Sequence, residues 1–270
     1  MQTSPNTSDL RWYDRPWAAL LFFTRLPLWR LYQPPVDAYR CVVEWWPLMG
    51  WLTAAVMAAV LYLGSMVLPY SVAVLLAIVS RILLTGALHE DGLADFFDGF
   101  GGGRGDRQRI LAIMKDSHIG TYGVLSLILY VALLFFCLNS MGPVYAAFSI
   151  LAIDPYAKMV AAQVVQMMPY ARAEAEAKSG VTYRHYGVAS GIWLAIQGLL
   201  PMGVYLWLMS GTVRWEVLIF VPWLVMYILY RYIWHRLRGY TGDCCGAMFL
   251  LVELSAYLVV AASLSRCFAQ

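Results

Sequence analysis

Residues 85–123 read TGALHEDGLADFFDGFGGGRGDRQRILAIMKDSHIGTYG, and they lie between two strongly apolar segments. This polar stretch carries six of the sixteen acidic residues of the chain. Three of them, Asp91, Asp95 and Asp98, have the spacing i, i+4, i+7, which places their carboxylates on one face of a helix. Carboxylates gathered at the edge of an apolar span repel one another unless a cation neutralises them. The spacing therefore predicts a divalent-cation site at these three residues.

The composition around this stretch is that of a membrane protein. Hydrophobic residues make up 61% of the chain, charged residues only 13%, and the mean hydropathy is +0.63. Because about a quarter of the residues of a soluble domain are charged, the composition predicts an all-α, polytopic integral membrane helix bundle. The net charge of +3 is too small to indicate nucleic acid as a partner. The many Met, Trp and Tyr residues are interpreted as core and interfacial belt, and the sequence alone does not predict that they form a ring-binding surface for a large cofactor.

Seven segments are long and apolar enough to be transmembrane helices, since a helix needs about 20 residues to cross the hydrocarbon core. They are 46–68, 71–89, 121–139, 144–168, 188–209, 216–234 and 246–264. The second of them runs into the acidic stretch. The sequence thus predicts about seven spans, with the candidate site at the end of one of them.

The N-terminal region differs from these spans. Residues 1–15 are polar and are predicted to be a flexible tail, with no pattern typical of a secretory signal peptide. Residues 16–32 are rich in aromatic side chains but are interrupted by Pro27, so we expect an amphipathic helix on the membrane surface. Residues 16–270 are predicted to form one transmembrane catalytic domain.

The distribution of basic residues predicts the orientation. Fifteen of the nineteen Lys and Arg residues fall in the N-terminal region and the connections on one side, and only Arg214 and Arg266 fall on the other. The remaining two, Arg81 and Lys158, lie within spans. Because cytoplasmic loops carry the excess of Lys and Arg, we expect a bacterial inner-membrane protein with a cytoplasmic N-terminus and residues 85–123 on the cytoplasmic face.

Residues that suit a phosphate follow the acidic cluster. Glycines allow a backbone to approach a phosphate closely, and arginine binds phosphate oxygens in a bidentate manner. A glycine run is equally typical of a flexible loop, and His89 is equally consistent with packing. The candidate substrate-binding residues are His89, Gly101, Gly102, Arg104, Arg107 and Arg172.

Further charged residues are candidates for catalysis. Asp116 and Asp243 are additional candidate metal ligands or bases, although Asp243 also suits the N-terminus of a helix. Lys115 is interpreted either as a phosphate partner or as a membrane anchor. Asp154 and Lys158 have i, i+4 spacing, which predicts an ion pair between them, with a functional site as the alternative. Glu253 lies deep in the last span, where an ionisable residue indicates function.

At these residues the chain resembles the cobalamin synthase family, the adenosylcobinamide-GDP ribazoletransferases. The similar motifs are HEDGLADFFDGF, RILAIMKDSHIGTYG, MPYAR, and GYTGDCCGA with Glu253 downstream, together with the early segments FFTRLPL and WWPLMGW. The resemblance spans roughly residues 18–260 and keeps the order of the motifs. Glu90 occupies a variable position of the first motif and need not be functional.

The resemblance implies a Mg²⁺-dependent transfer of phosphocobinamide from adenosylcobinamide-GDP to α-ribazole or α-ribazole 5′-phosphate. GMP is released, and the product is adenosylcobalamin or its 5′-phosphate. On this interpretation Asp91, Asp95 and Asp98 hold Mg²⁺, Asp98 is a candidate base, and the arginines with Lys115 balance the phosphate charge. The remaining expected partners are membrane lipid and, in an oligomer, a second copy of the chain.

Two other functions fit parts of the pattern less well. CDP-alcohol phosphotransferases have D-G-x2-A-R followed by G-x3-D-x3-D, whereas here Asp91-Gly92-Leu93-Ala94 precedes Asp95 rather than Arg, and no later D-x3-D pair follows. A cation-coupled transporter would place its carboxylates near the bilayer midplane. Here they lie at the end of a span beside arginines, and no internal repeat is evident.

Overall fold

The computed structural model describes residues 10–172 and 182–268, and nearly all of this part of the chain is helical. Most of the predicted N-terminal tail, residues 1–9, lies outside the described residues. The helices, in chain order, are α1 (Asp14–Phe23), α2 (Val36–Tyr39), α3 (Trp46–Gly64), α4 (Tyr70–Thr85), α5 (Leu88–Gly102), α6 (Arg107–Ile113), α7 (Thr121–Met141), α8 (Pro143–Met167), α9 (Val188–Leu208), α10 (Trp215–Leu237) and α11 (Gly242–Phe268). Two 3₁₀ turns, Leu28–Arg30 and Val42–Trp45, lie between α1 and α3. The predicted all-α fold is confirmed.

The described residues contain six helices that are long and apolar enough to cross a membrane, or seven if α4 and α5 count as one bent span. The predicted spans agree with α3, α7, α8, α9, α10 and α11 to within a few residues, so the polytopic membrane class is confirmed. The predicted end of the second span is wrong. The helix ends at Thr85 rather than at residue 89.

A left-handed turn causes this break. Gly86 and Ala87 have φ values of 65° and 58°, so the helical ladder cannot continue, and α5 leaves α4 at an angle of 89°. An alanine in this conformation is strained, and the turn is held from outside by the backbone N–H of Arg25, which donates to the carbonyl oxygen of Leu84 at 2.8 Å. As a result the acidic stretch runs across the end of α4 instead of extending it.

Helix α8 lies in the centre of the bundle. It packs against α3 through Gly50, where an added Cβ atom would lie 2.8 Å from the Cα atom of Pro155. The predicted ion pair between Asp154 and Lys158 is confirmed, and both side chains are completely buried or nearly so. Thr53 of α3 donates to Asp154 at 3.0 Å and accepts from Lys158 at 3.2 Å. The pair therefore joins two helices within the core.

A second buried network joins α4, α7 and α11. Arg81 donates to Glu253 at 2.5 Å and to the hydroxyl of Tyr130 at 2.7 Å, and this hydroxyl donates to the other oxygen of Glu253 at 2.9 Å. Glu90 of α5 lies 3.9 Å from Arg81. Glu253 is thus the partner of a buried arginine, which gives this residue of the last span a structural role.

The polar connections meet at one end of the bundle. The N–H of Tyr240 donates to Pro169 at 3.0 Å, the N–H of Ala171 donates to Tyr240 at 2.8 Å, and the N–H of Arg184 donates to Arg40 at 2.9 Å. These contacts join segments that the distribution of basic residues assigned to one side of the membrane. The candidate site of α5 lies at this same end.

Candidate active site

A cavity of about 230 Å³ lies at this end of the bundle, between α1, α5 and the beginning of α11. Its wall combines aromatic rings with two carboxylates. The residues that line it include Phe23, Trp46, His89, Asp91, Tyr183 and Asp243. The cavity therefore collects predicted site residues that are far apart in the sequence.

Close packing of two glycines brings the two carboxylates to this cavity. An added Cβ atom at Gly92 would lie 3.1 Å from the Cα atom of Asp243, and one at Gly246 would lie 3.3 Å from the carbonyl oxygen of His89. Because neither position has a side chain, α5 and α11 approach backbone to backbone. Asp91 and Asp243, the neighbours of this contact, consequently lie on the wall of the same cavity.

His89 is the most enclosed polar residue of the wall. Its ring is stacked with Trp46 at a centroid distance of 5.8 Å and with Phe23 at 6.2 Å, and it meets the ring of Phe249 edge-on at 4.8 Å. The residue is only 4% exposed, and its Nε2 atom has no hydrogen-bond partner among the described residues. A buried polar atom without a partner costs free energy, so the Nε2 atom is a candidate hydrogen-bond donor to a molecule bound in the cavity.

The phenol of Tyr170 belongs to the same wall, and the guanidinium of Arg172 lies near this phenol. Burial raises the pKa of Tyr170 to about 12, with nearby Arg172 lowering it and Asp243 raising it. The phenol is therefore protonated at neutral pH and is able to donate a hydrogen bond. Arg172 donates to the carbonyl of Leu111 at 3.1 Å, and its other terminal nitrogen, Nη1, is buried without a partner among the described residues.

Asp98 has a different environment from the other two carboxylates of its helix face. It is 7% exposed, and its two oxygens accept the backbone N–H groups of Gly120 at 2.6 Å and Gly123 at 2.8 Å. The carboxylate thereby satisfies the N-terminus of α7, which is a favourable place for a negative charge. This arrangement favours a structural role for Asp98, and its predicted roles as metal ligand and base stay predictions.

Replacement of Gly120 by alanine tests this contact. An added Cβ atom there would lie 2.5 Å from an oxygen of Asp98, so we expect Gly120→Ala to destabilise the protein by about 1–3 kcal/mol, the usual cost of overpacking. Thermal unfolding in detergent measures the effect. Gly187→Ala is the matched control, because Gly187 also precedes a long helix and nothing lies near its added Cβ atom. Equal unfolding temperatures for the two variants would contradict the role of Asp98.

The glycines after Asp98 are explained by packing. An added Cβ atom at Gly101 would lie 2.7 Å from the ring of Tyr122, and one at Gly102 would lie 3.2 Å from Ile113. The glycines thus allow α5 to contact α6 and α7 closely, and this requires no phosphate. Their predicted phosphate contact stays a prediction.

The arginines after the glycines differ in how they are held. Arg107 donates to the carbonyls of Leu237 and Ala171, both at 2.7 Å, and so ties α6 to the end of α10 and to the connection that follows α8. Arg104 is exposed in a turn with φ of 52°. Both arginines are exposed, and they differ in that the guanidinium of Arg107 is engaged by two backbone carbonyls.

Asp116 and Lys115 lie in a separate place. Asp116 lines a second cavity of about 320 Å³, together with Asp98, Gly102 and His118. The ring of His118 lies 2.6 Å from Asp116, and this contact lowers the pKa of Asp116 and raises that of His118. Lys115 is exposed. Of the predicted carboxylates, Asp91 and Asp243 therefore line the first cavity and Asp98 and Asp116 the second, with Asp95 on α5 between Asp91 and Asp98.

The carboxylates of the site fit a metal ion in one of two possible arrangements. The described part of the chain contains no group of three or more His, Cys, Asp or Glu side chains that could hold one. The three predicted carboxylates do not form such a group there, since Asp98 is engaged by the N-terminus of α7. Mg²⁺, however, is usually bound by one or two carboxylates together with substrate phosphates. Asp91 and Asp95, one turn apart on α5, fit that second arrangement.

The fold and the cavity define a polytopic membrane protein with a carboxylate-containing site at one end of its helix bundle. The family model described as cobalamin-5-phosphate synthase matches residues 15–261. The chain belongs to this family, and the resemblance noted in its motifs is confirmed.

Two relatives are similar in sequence to this protein over nearly the whole chain. The adenosylcobinamide-GDP ribazoletransferase of Shewanella frigidimarina is 35% identical over 256 residues, 94% of this chain and 96% of the relative. That of Shewanella amazonensis is 34% identical over 246 residues, 90% and 92% of the two chains. No solved structure matches the chain. The protein is accordingly a membrane transferase of cobalamin biosynthesis.

The aromatic wall is the part of the site that sequence reasoning missed. The Trp and Tyr residues are predicted to be core or belt residues, yet Trp46, Tyr170 and Tyr183 line the cavity together with Phe23. Phe23 and Trp46 fall in the two early motif segments, and Tyr170 falls in MPYAR. Their place within those motifs is the signal that could have identified them.

Proposed function

We propose that this protein transfers phosphocobinamide from adenosylcobinamide-GDP to α-ribazole or its 5′-phosphate and releases GMP, at the cytoplasmic face of the bacterial inner membrane. The observation that carries the proposal is the meeting of Asp91 on α5 and Asp243 on α11 at one cavity. Relatives named for this reaction support it. The excess of basic residues at the same end supports the cytoplasmic location.

The reaction requires positioning and charge neutralisation more than covalent chemistry. A ribose hydroxyl oxygen of the acceptor attacks the phosphorus that carries the cobinamide, the bond from this phosphorus to the GMP oxygen breaks, and the hydroxyl loses its proton. Asp243 suits the role of proton acceptor better than Asp98 does. It lines the cavity, whereas Asp98 is not part of that wall and holds the N-terminus of α7.

Asp91 and Asp95 would hold Mg²⁺ together with the pyrophosphate of the donor. When bound, the ion would supply neutralisation of the phosphate charge. Arg172, whose buried Nη1 atom has no partner in the part of the chain that the structure describes, and the exposed Arg104 would add positive charge for the same groups. Lys115 would contribute from the exposed connection before α7.

The test is a GMP-release assay with the full-length protein in detergent. We expect GMP to be released only when adenosylcobinamide-GDP and α-ribazole are both present. The release should stop when EDTA removes divalent cations and should resume when Mg²⁺ is added in excess. Comparing α-ribazole with its 5′-phosphate as acceptor identifies the preferred substrate. GMP release at the same rate without acceptor, or unchanged by EDTA, would contradict the proposal.

A further inference from the structure

We propose that the cavity of about 230 Å³ binds the aromatic base of the acceptor nucleoside, with the Nε2 atom of His89 donating a hydrogen bond to the free ring nitrogen of that base. The inference rests on the proposed function and adds to it which group of which substrate enters the cavity. The chemistry recognised is a planar bicyclic ring with one acceptor nitrogen.

The size of the cavity restricts its occupant. Pockets for drug-sized ligands have volumes of about 300–1,000 Å³, and this cavity is smaller. A corrin ring therefore does not fit within it, whereas a single bicyclic base does. The large donor must be accommodated outside, where Asp91 and the neighbouring connections are exposed.

The walls suit a flat ring. Phe23 and Trp46 have nearly parallel rings, with an interplanar angle of 7° at 5.5 Å, and the ring of His89 lies within 16° of both. Tyr183 also lines the cavity and is itself stacked on Tyr240 at an angle of 11°. Proteins bind nucleic acid bases by stacking them on such side chains, and each stacked base gains about 1–3 kcal/mol.

The polar atoms of the wall distinguish a benzimidazole base from guanine. The polar side chain enclosed by the aromatic rings is His89, and its Nε2 atom lacks a partner among the described residues. A benzimidazole nucleoside has one unsubstituted ring nitrogen, which matches one donor. Guanine has several donors and acceptors, and those facing Phe23 and Trp46 would be buried without partners, which is costly.

The position of the cavity also fits the reaction. His89 is buried and Asp91, two residues later, is exposed, so the cavity has an enclosed histidine and a carboxylate at its accessible side. A base bound against His89 would direct its ribose towards Asp91 and Asp243. The hydroxyl that attacks the phosphorus would then lie beside the residue proposed to accept its proton.

Direct binding measurements test the inference without turnover. The full-length protein in detergent is titrated with α-ribazole and with an analogue in which an indole replaces the benzimidazole, so that C–H replaces the ring nitrogen. We expect the wild type to bind α-ribazole roughly fivefold more tightly than the indole analogue, the value of one ordinary hydrogen bond. In His89→Phe, which keeps an aromatic ring but removes Nε2, we expect this preference to disappear.

A second variant tests the aromatic wall. Trp46→Leu is expected to weaken the binding of both nucleosides by about tenfold through lost stacking. Adenosylcobinamide-GDP should bind both variants as tightly as it binds the wild type. Unfolding temperatures confirm that the variants are folded, and if His89→Phe does not fold, the preference of the wild type tests the hydrogen bond by itself.

The outcomes separate this inference from the proposed function. Equal affinity of the wild type for the two nucleosides would overturn the hydrogen bond to His89. Weaker binding of adenosylcobinamide-GDP to the variants, with α-ribazole binding unchanged, would assign the cavity to guanine and overturn the inference. In both cases GMP release by the wild type could still be intact, whereas failure of the proposed function would appear as an absence of that release.

Discussion

Asp91→Asn combined with Asp95→Asn is expected to lower kcat for GMP release by about 10²- to 10³-fold, the usual effect of losing groups that stabilise transition-state charge. Both side chains lie on α5, one turn apart, at the end of the bundle where the donor pyrophosphate is proposed to bind. Asparagine keeps the size of the side chain but removes its charge, so the metal ion that would neutralise the phosphates would lose its main protein ligands. The change should affect the rate far more than the stability, because Asp91 is exposed and Asp95 is only half-buried.

The measurement is steady-state GMP release in detergent at saturating concentrations of both substrates. Glu216→Gln is the matched control, since this exposed carboxylate lies in the first turn of α10, at the far end of a 23-residue helix from the site. We expect the control to retain wild-type kcat. A double variant with near wild-type kcat would show that the site lies elsewhere.

Arg81→Met is expected to cause the largest loss of stability, about 3–5 kcal/mol, because it removes one partner of a buried charge pair. Arg81 is 2% exposed, and it contacts Glu253 at 2.5 Å and Tyr130 at 2.7 Å. Without the guanidinium, Glu253 would be a buried carboxylate that keeps, among the described residues, the hydroxyl of Tyr130 as its hydrogen-bond donor. The helices α4, α7 and α11 would lose the contacts that join them.

Unfolding in detergent measures this effect, and a second substitution shows its origin. Arg81→Met combined with Glu253→Leu removes both charges, so we expect it to recover much of the lost stability. The exposed Arg231→Met on α10 is the control for loss of an arginine as such and should be close to the wild type. A double variant less stable than Arg81→Met would contradict the charge-pair explanation.

The helical architecture was largely predictable from the sequence. Continuous apolar runs bounded by polar connections determine α3 and α7 to α11, because a span must satisfy its own backbone within the membrane. The i, i+4 spacing of Asp154 and Lys158 likewise indicated their ion pair, since the contact lies within one helix. Features that depend on the spacing of residues within one segment could therefore be predicted from the sequence.

Features that depend on contacts between distant segments could not be predicted from the spacing of residues. The bend at Gly86 and Ala87 needs a left-handed alanine, which propensity does not predict. The spacing of Asp98 matches that of Asp91 and Asp95, but only the position of α7 shows that its oxygens are taken by Gly120 and Gly123. The same limit applies to the cavity, whose walls come from the N-terminal region, α5 and α11.

The most direct test of phosphocobinamide transfer follows the phosphorus atoms of the donor. Adenosylcobinamide-GDP labelled with ³²P in the phosphate next to the cobinamide is incubated with the full-length protein, α-ribazole and Mg²⁺. If phosphocobinamide is transferred, we expect the label to appear in the corrinoid product that is joined to ribazole, and we expect the released GMP to be unlabelled. Label in GDP or in inorganic phosphate, with no labelled product that contains ribazole, would contradict transfer of phosphocobinamide at this site.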